Sequence, residues 1–118
     1  MKLNKRSEGA KGEAMAVDYL EKKGYHILQR NYRFERGEID IVAELGAILV
    51  FIEVKARSSH AFGRPEESVT ERKQKQIKAV ADGYIFEKEI GDRECRFDII
   101  AITSNRFGVK IKHLEGAF

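Results

Sequence analysis

The chain has 118 residues, enough for one real core and too few for two domains to be expected, so residues 1–118 are read as a single domain. Hydrophobic residues make up 42% and charged residues 35%, with one proline, which excludes a disordered chain and predicts an ordered core beneath a heavily charged surface. Against 19 Asp and Glu stand 22 Lys and Arg, a net charge of +3 that permits contact with nucleic acid but leaves the decision to where the charges stand.

The first residues, Met1 to Gly9, carry Lys2, Lys5 and Arg6 with no apolar run behind them, so no secretory signal is expected. No apolar run reaches membrane-spanning length, and no membrane partner is expected. From Ser7 to Lys23 the pattern predicts a helix stopped by Gly24, with Ala10, Ala14, Val17 and Leu20 on one face. Glu13 falls on that face, either as a surface glutamate favoured near a helix start or as a carboxylate aimed at a site beside the core.

Tyr25 to Phe34 is a predicted strand, and Arg30, Arg33 and Arg36 crowd its end, a grouping suited to phosphates or simply to solvent. His26 has no second histidine at metal-ligand spacing. Gly37 turns the chain into a second strand and Leu45-Gly46 connects it to a third beginning near Ile48, which predicts an antiparallel hairpin. Period-two geometry puts Glu38 and Asp40 on one face and Ile39, Ile41 and Ala43 on the other. In the partner strand Glu53 and Lys55 share a face with Leu49, Phe51 and Arg57, while Val50, Ile52, Val54 and Ala56 point away.

Arg57 to Glu67 reads as a loop, with His60 in it as a proton carrier, a phosphate contact or a plain surface residue. A second helix starts around Ser68 or Thr70, Ser68 and Glu71 having capping-box spacing, and buries Ile77, Val80, Ala81, Tyr84 and Ile85. Its first turns hold Arg72, Lys73, Lys75 and Lys78, against the helix dipole, which suits either an external anion or a solubilising face. Gly83 inside the stripe allows close packing or an early end. Arg93 to Thr103 and Phe107 to Leu114 are the last two strands, and Asp98 is expected to be paired structurally, with Arg96 or a basic helix residue. Cys95 is alone, so neither an internal disulfide nor a thiolate metal site is available, and a reducing cytoplasm is the expected setting. The order helix, three strands, helix, two strands predicts an α/β fold with a mixed sheet.

Charge inside apolar strands is costly unless it is paired, bound to metal or used in chemistry. Asp40, Glu53 and Lys55 are such charges, and the hairpin brings them to one end. Two convergent carboxylates make hard oxygen ligands for Mg²⁺ or Mn²⁺, with the backbone carbonyl of Val54 as a further donor. A lysine beside that metal can orient water or stabilise charge developing on a phosphate.

At these positions the chain resembles the PD-(D/E)XK nuclease superfamily, with Asp40 as the acidic residue and Glu53-Val54-Lys55 as the E-x-K element; Ile39 stands where the superfamily often has proline. Gly12-Glu13, Asn31-Tyr32-Arg33, Gly37-Glu38-Ile39-Asp40, Val50 to Arg57, Phe62-Gly63, Ser68-Val69-Thr70, Lys73-Gln74 and Arg96-Phe97-Asp98 extend this to a resemblance to the YraN family over nearly the whole chain. Its fold is similar to that of archaeal Holliday-junction resolvases. The resemblance implies a restriction-endonuclease-like mixed β-sheet flanked by helices, in the order αβββαββ. It implies Asp40 and Glu53 as metal ligands, Lys55 as the catalytic lysine, and Glu13 and Gln74 as further members of the catalytic site.

The function expected is a Mg²⁺-dependent endonuclease acting on DNA, branched or otherwise structured, and working as a homodimer. Arg33, Arg36, Arg57, Lys73 and Lys75 are the candidate phosphate contacts, and Glu38 is the least certain member of the site. A non-catalytic nucleic-acid-binding module on the same fold is the alternative, and a purely structural charge network the third reading.

Overall fold

A computed structural model of the chain describes residues 5–58 and 63–118, with side chains described from Gly9 onward. The expected order of helices and strands is observed. Helix α1 (Lys5–Lys22) leads into β1 (His26–Phe34), β2 (Gly37–Leu45) and β3 (Ile48–Arg57). A short 3₁₀ turn (Pro65–Ser68) precedes α2 (Glu71–Glu87), and β4 (Cys95–Asn105) and β5 (Gly108–Leu114) follow. The five strands form one sheet in the order β1-β2-β3-β4-β5. All neighbours are antiparallel except β3 and β4, which run parallel because α2 carries the chain back between them. This is a mixed α/β architecture flanked by two helices, consistent with the restriction-endonuclease-like fold. Among the described residues no helix is long and apolar enough to cross a membrane.

Each helix covers one face of the sheet. Ala16 and Leu20 of α1 pack with Ile41, Ala43, Val50, Ile52, Ile100 and Ile102. On the other face Ile77, Val80, Ala81 and Tyr84 of α2 pack with Tyr32, Ile39, Val42, Leu49, Phe51 and Ile99. The predicted alternation of β3 is therefore observed, with Leu49 and Phe51 toward α2 and Val50 and Ile52 toward α1. That of β2 is not: Ile39 packs on the α2 side whereas Ile41 and Ala43 pack on the α1 side. The break falls between the Arg30–Ile41 and Tyr32–Ile39 rungs, where Asn31 of the partner strand sits at a left-handed φ of 52°.

Of the two expected starts of α2, Thr70 is the observed one, and the capping box from Ser68 is not formed. The Thr70 side chain accepts the Lys73 N–H at 3.2 Å, while Ser68 donates its hydroxyl to the Pro65 carbonyl at 2.7 Å within the preceding 3₁₀ turn. Pro65 fixes that turn, and the turn consumes the hydroxyl a capping box from Ser68 needs. Gly83 does not end the helix. A Cβ there would stand 2.4 Å from the ring of Phe34, so glycine is what lets α2 lie against β1.

Candidate metal centre

The β2–β3 ladder runs from the turn as far as the Ile41–Ile52 rung and no further. Beyond it the strands part, and a side chain replaces the missing backbone partner: Oδ2 of Asp40 accepts the N–H of Val54 at 2.8 Å. The N–H and C=O of one strand residue face the same neighbour, so the Val54 carbonyl is turned toward the same opening. Asp40, the residue just past the last rung, is thus pinned to the backbone between Glu53 and Lys55.

Glu53 is only 5% exposed, and its Oε2 is buried with no hydrogen-bond partner among the described residues. The nearest cation, Lys73 Nζ of α2, stands at 3.7 Å, an ion-pair distance too long for a hydrogen bond. Burial is the main reason the Glu53 carboxyl is pushed up to about 9, and hydrogen bonding to Asp40 and its charge add to the effect. Lys73 and, more weakly, Lys55 oppose it. Burial and the neighbouring Asp40 charge thus both disfavour the ionised form of Glu53.

Helix α1 reaches the site because Gly12 lets it approach. A Cβ at Gly12 would meet that of Ala56 at 2.8 Å, so a larger residue would push the helix off β3. Glu13, the next residue, feels burial first and the charge of Asp40 second, both raising its pKa; Arg30 opposes them, Glu38 adds to them, and a hydrogen bond from Asn31 opposes them again. Glu13 thus lies within electrostatic reach of Asp40 and Glu38. With its amide oriented as its neighbours require, Asn31 donates to Glu13 Oε1 at 2.9 Å and to Glu38 Oε1 at 2.9 Å. Arg33 Nε holds the other oxygen of Glu38 at 3.3 Å. Glu38 thus stands on the rim, tied to Glu13 through Asn31.

The remaining candidates are dispersed. Gln74 donates its amide to the Val69 carbonyl at 3.1 Å, at the start of its own helix. Lys75 and Arg36 are exposed, and Arg57 is half-buried beside a pocket of about 240 Å³ that Lys11 and Met15 also line. His26 is exposed against Glu44, and Asp98 is paired with Arg96 as expected. His60 lies outside the described residues. Two participants had no such role in the sequence reading: Asn31, and Lys73 as the partner of Glu53 rather than of phosphate. An asparagine near a strand end, tolerant of φ above zero, was the available signal for the first; none existed for the second.

Residues 12–102 match the model of the uncharacterised protein family UPF0102, the YraN family. The chain belongs to that family. A UPF0102 protein of Alkaliphilus oremlandii is 48% identical over 118 residues, covering 98% of this chain and 100% of the relative. Those of Chlorobaculum parvum and Geobacter metallireducens are 48% and 45% identical, over 93% and 100% of this chain and 90% and 97% of the relatives. The matched span takes in Glu13, Asn31, Asp40, Glu53, Lys55 and Lys73.

Proposed function

We propose that this UPF0102 chain is a Mg²⁺- or Mn²⁺-dependent endonuclease that hydrolyses phosphodiester bonds in DNA. The observation that carries the reading is the orphaned Glu53 Oε2, buried beside Asp40 where β2 and β3 separate. A buried acceptor without a donor is unfavourable for the fold alone, and a divalent cation removes the cost. Asp98, by contrast, shows what a purely structural carboxylate looks like in this protein, with donors on both oxygens.

Among the described residues no three His, Cys, Asp or Glu side chains converge as a complete metal cage. The donors present instead are two carboxylates and the Val54 carbonyl, all hard oxygens. They fit an ion such as Mg²⁺, which keeps several waters and takes few protein ligands. Asp40, Glu53 and Val54 would hold it, and the bound ion would neutralise phosphate charge and make water more acidic.

The chain's own residues supply the rest. Lys55, on the Glu53 face of β3, is placed to orient the attacking water or to stabilise negative charge developing at phosphorus. Asn31 fixes Glu13 and Glu38, so that Glu13 keeps its place on the α1 side of the opening. Lys73, Arg33, Arg36, Arg57 and Lys75 are the candidate phosphate contacts. The test is cleavage of labelled junction, flap and duplex DNA with Mg²⁺ or Mn²⁺ by wild type, Asp40→Ala and Lys55→Ala. Metal-dependent cleavage by wild type alone is expected; equal cleavage by the variants removes the assigned site.

A further inference from the structure

Among the described residues two phenylalanines are almost wholly exposed, and their surroundings are opposite in charge. Phe86, 82% exposed at the end of α2, lies in a stretch from Asp82 to Asp92 with Asp82, Glu87, Glu89 and Asp92 around it and Lys88 as the one cation. Phe107, 84% exposed, sits at the tip of the β4–β5 hairpin. From Ile99 to Leu114 that hairpin has no Asp or Glu and carries Arg106 and Lys110, together with Lys112, which pairs with Glu66 at 2.7 Å. A polyanion is repelled by the first setting and attracted by the second.

The tip is built to present the ring. Asn105 pairs with Gly108, leaving Arg106 and Phe107 as the two turn residues, where asparagine and glycine are the usual occupants. Asn105 Oδ1 accepts the Phe107 N–H at 2.7 Å, and the Arg106 guanidinium lies 4.9 Å from the ring centroid. Val109, half exposed, extends the apolar surface, and Lys110 pairs with Thr103 on the neighbouring strand. An aromatic ring with an arginine over it, on a hairpin that carries Lys110 three residues further on, is the combination that binds unpaired bases by stacking while charge holds the backbone.

Its place relative to the metal centre fits. Lys55 pairs with Ala101 in the parallel β3–β4 ladder, and β4 continues to Asn105 at the same end of the sheet. Four residues at about 3.3 Å each put the tip about 13 Å beyond the Lys55 rung along the strand. That is roughly four nucleotide steps.

We infer that Phe107, with Arg106 and Lys110, is a base-stacking element that engages an unpaired nucleotide a few steps from the bond held at Asp40 and Glu53. This rests on the nucleic-acid reading above and narrows its substrate to DNA with single-stranded or splayed bases.

The chain has no tryptophan, so Phe107→Trp installs a lone fluorophore at the tip. In EDTA, a short dye-labelled thymidine oligonucleotide is titrated while its anisotropy and the tryptophan emission are both followed. Quenching that saturates together with the anisotropy is expected. A complex seen by anisotropy with unchanged emission overturns the stacking role, as does no complex at all; the nuclease reading is decided separately, by metal-dependent cleavage of junction, flap and duplex DNA. Phe107→Ala and Phe107→Leu are each expected to bind the oligonucleotide about tenfold more weakly, with the melting temperature unchanged. If Phe107→Ala binds the oligonucleotide as wild type does and instead lowers the mass measured by light scattering, the tip is a contact between copies of the chain and the proposal falls.

Discussion

Two buried carboxylates stand on adjacent rungs of the same pair of strands and have opposite fates. Asp98 of β4 pairs with Ile52, and Glu53 of β3 pairs with Ile99. Asp98 is fully buried yet receives Arg96 through Nε at 2.9 Å and Nη2 at 2.8 Å, His113 Nε2 at 2.7 Å and the Gly116 N–H at 3.0 Å. Burial would raise its pKa, but the hydrogen bonds from His113, Arg96 and Gly116 outweigh it and hold the group below its ordinary value. Glu53, almost as buried, has an oxygen with no donor and is pushed up to about 9. Asp98 is an anchor: it ties the C-terminal turn to β4, where Ala117 N–H also bonds the Phe97 carbonyl at 2.8 Å. Glu53 lacks what an anchor has. The difference between a carboxylate whose oxygens the fold has supplied with donors and a carboxyl it has left with an unpartnered oxygen is what separates structural charge from a candidate site.

Exchanging the two groups tests that distinction most strongly. Asp98→Ala leaves Arg96 and His113 without their partner and is expected to cost about 3–5 kcal/mol of stability, read by urea unfolding. Glu53→Gln removes an unpaired acid and is expected to unfold at the same or higher urea concentration than metal-free wild type, while abolishing Mn²⁺ binding and cleavage. A Glu53→Gln variant as unstable as Asp98→Ala would erase the contrast. Lys55→Ala is expected to reduce cleavage about 10²–10³-fold with Mn²⁺ affinity nearly unchanged, the separation expected of a residue acting on the phosphate rather than on the ion.

Proton linkage gives the two carboxylates opposite signs. The folded Glu53 holds its proton up to about 9 against an ordinary value of 4.5, so its contribution to stability is complete below 4.5 and is lost as pH rises through 9. Asp98, held below its ordinary value of 3.8, contributes above that value and loses its contribution as pH falls through the folded one. In chelator, the melting temperature of wild type should therefore fall on the alkaline side more than that of Glu53→Gln, and on the acid side more than that of Asp98→Asn. Matching alkaline profiles for wild type and Glu53→Gln would contradict the protonated Glu53. The smallest effect is expected at the rim, where Asn31→Ala should lower cleavage about tenfold by loosening Glu13 and Glu38, with metal binding kept.

The sequence carried the order of elements because hydrophobic periodicity changes cleanly between 3.6 and 2 along the chain, and the β3 faces followed from that alone. It carried the approach of Asp40 to Glu53 and Val54 because a short hairpin leaves little freedom of register. It could not carry the parting of β2 and β3, which depends on a left-handed Asn31 in the adjacent strand and on Asp40 replacing a backbone partner. The reversal at Ile39 was lost for the same reason. Ser68 and Thr70 compete for one cap, and Pro65 decides between them from a turn that capping-box spacing ignores. Lys73 meeting Glu53 is a tertiary contact across the α2 face, with no local signature.

The central claim is that Glu53 and Asp40 are left open for a divalent cation, and calorimetric titration of the full chain with Mn²⁺ at neutral pH tests it most directly. One ion is expected to bind, with about one proton released as Glu53 ionises, seen as a dependence of the measured heat on the buffer's ionisation enthalpy. Glu53→Gln and Asp40→Asn should show no binding and Asp98→Asn, where folded, should bind as wild type does. Absence of binding by wild type at millimolar Mn²⁺, or equal binding by Glu53→Gln, would contradict the account.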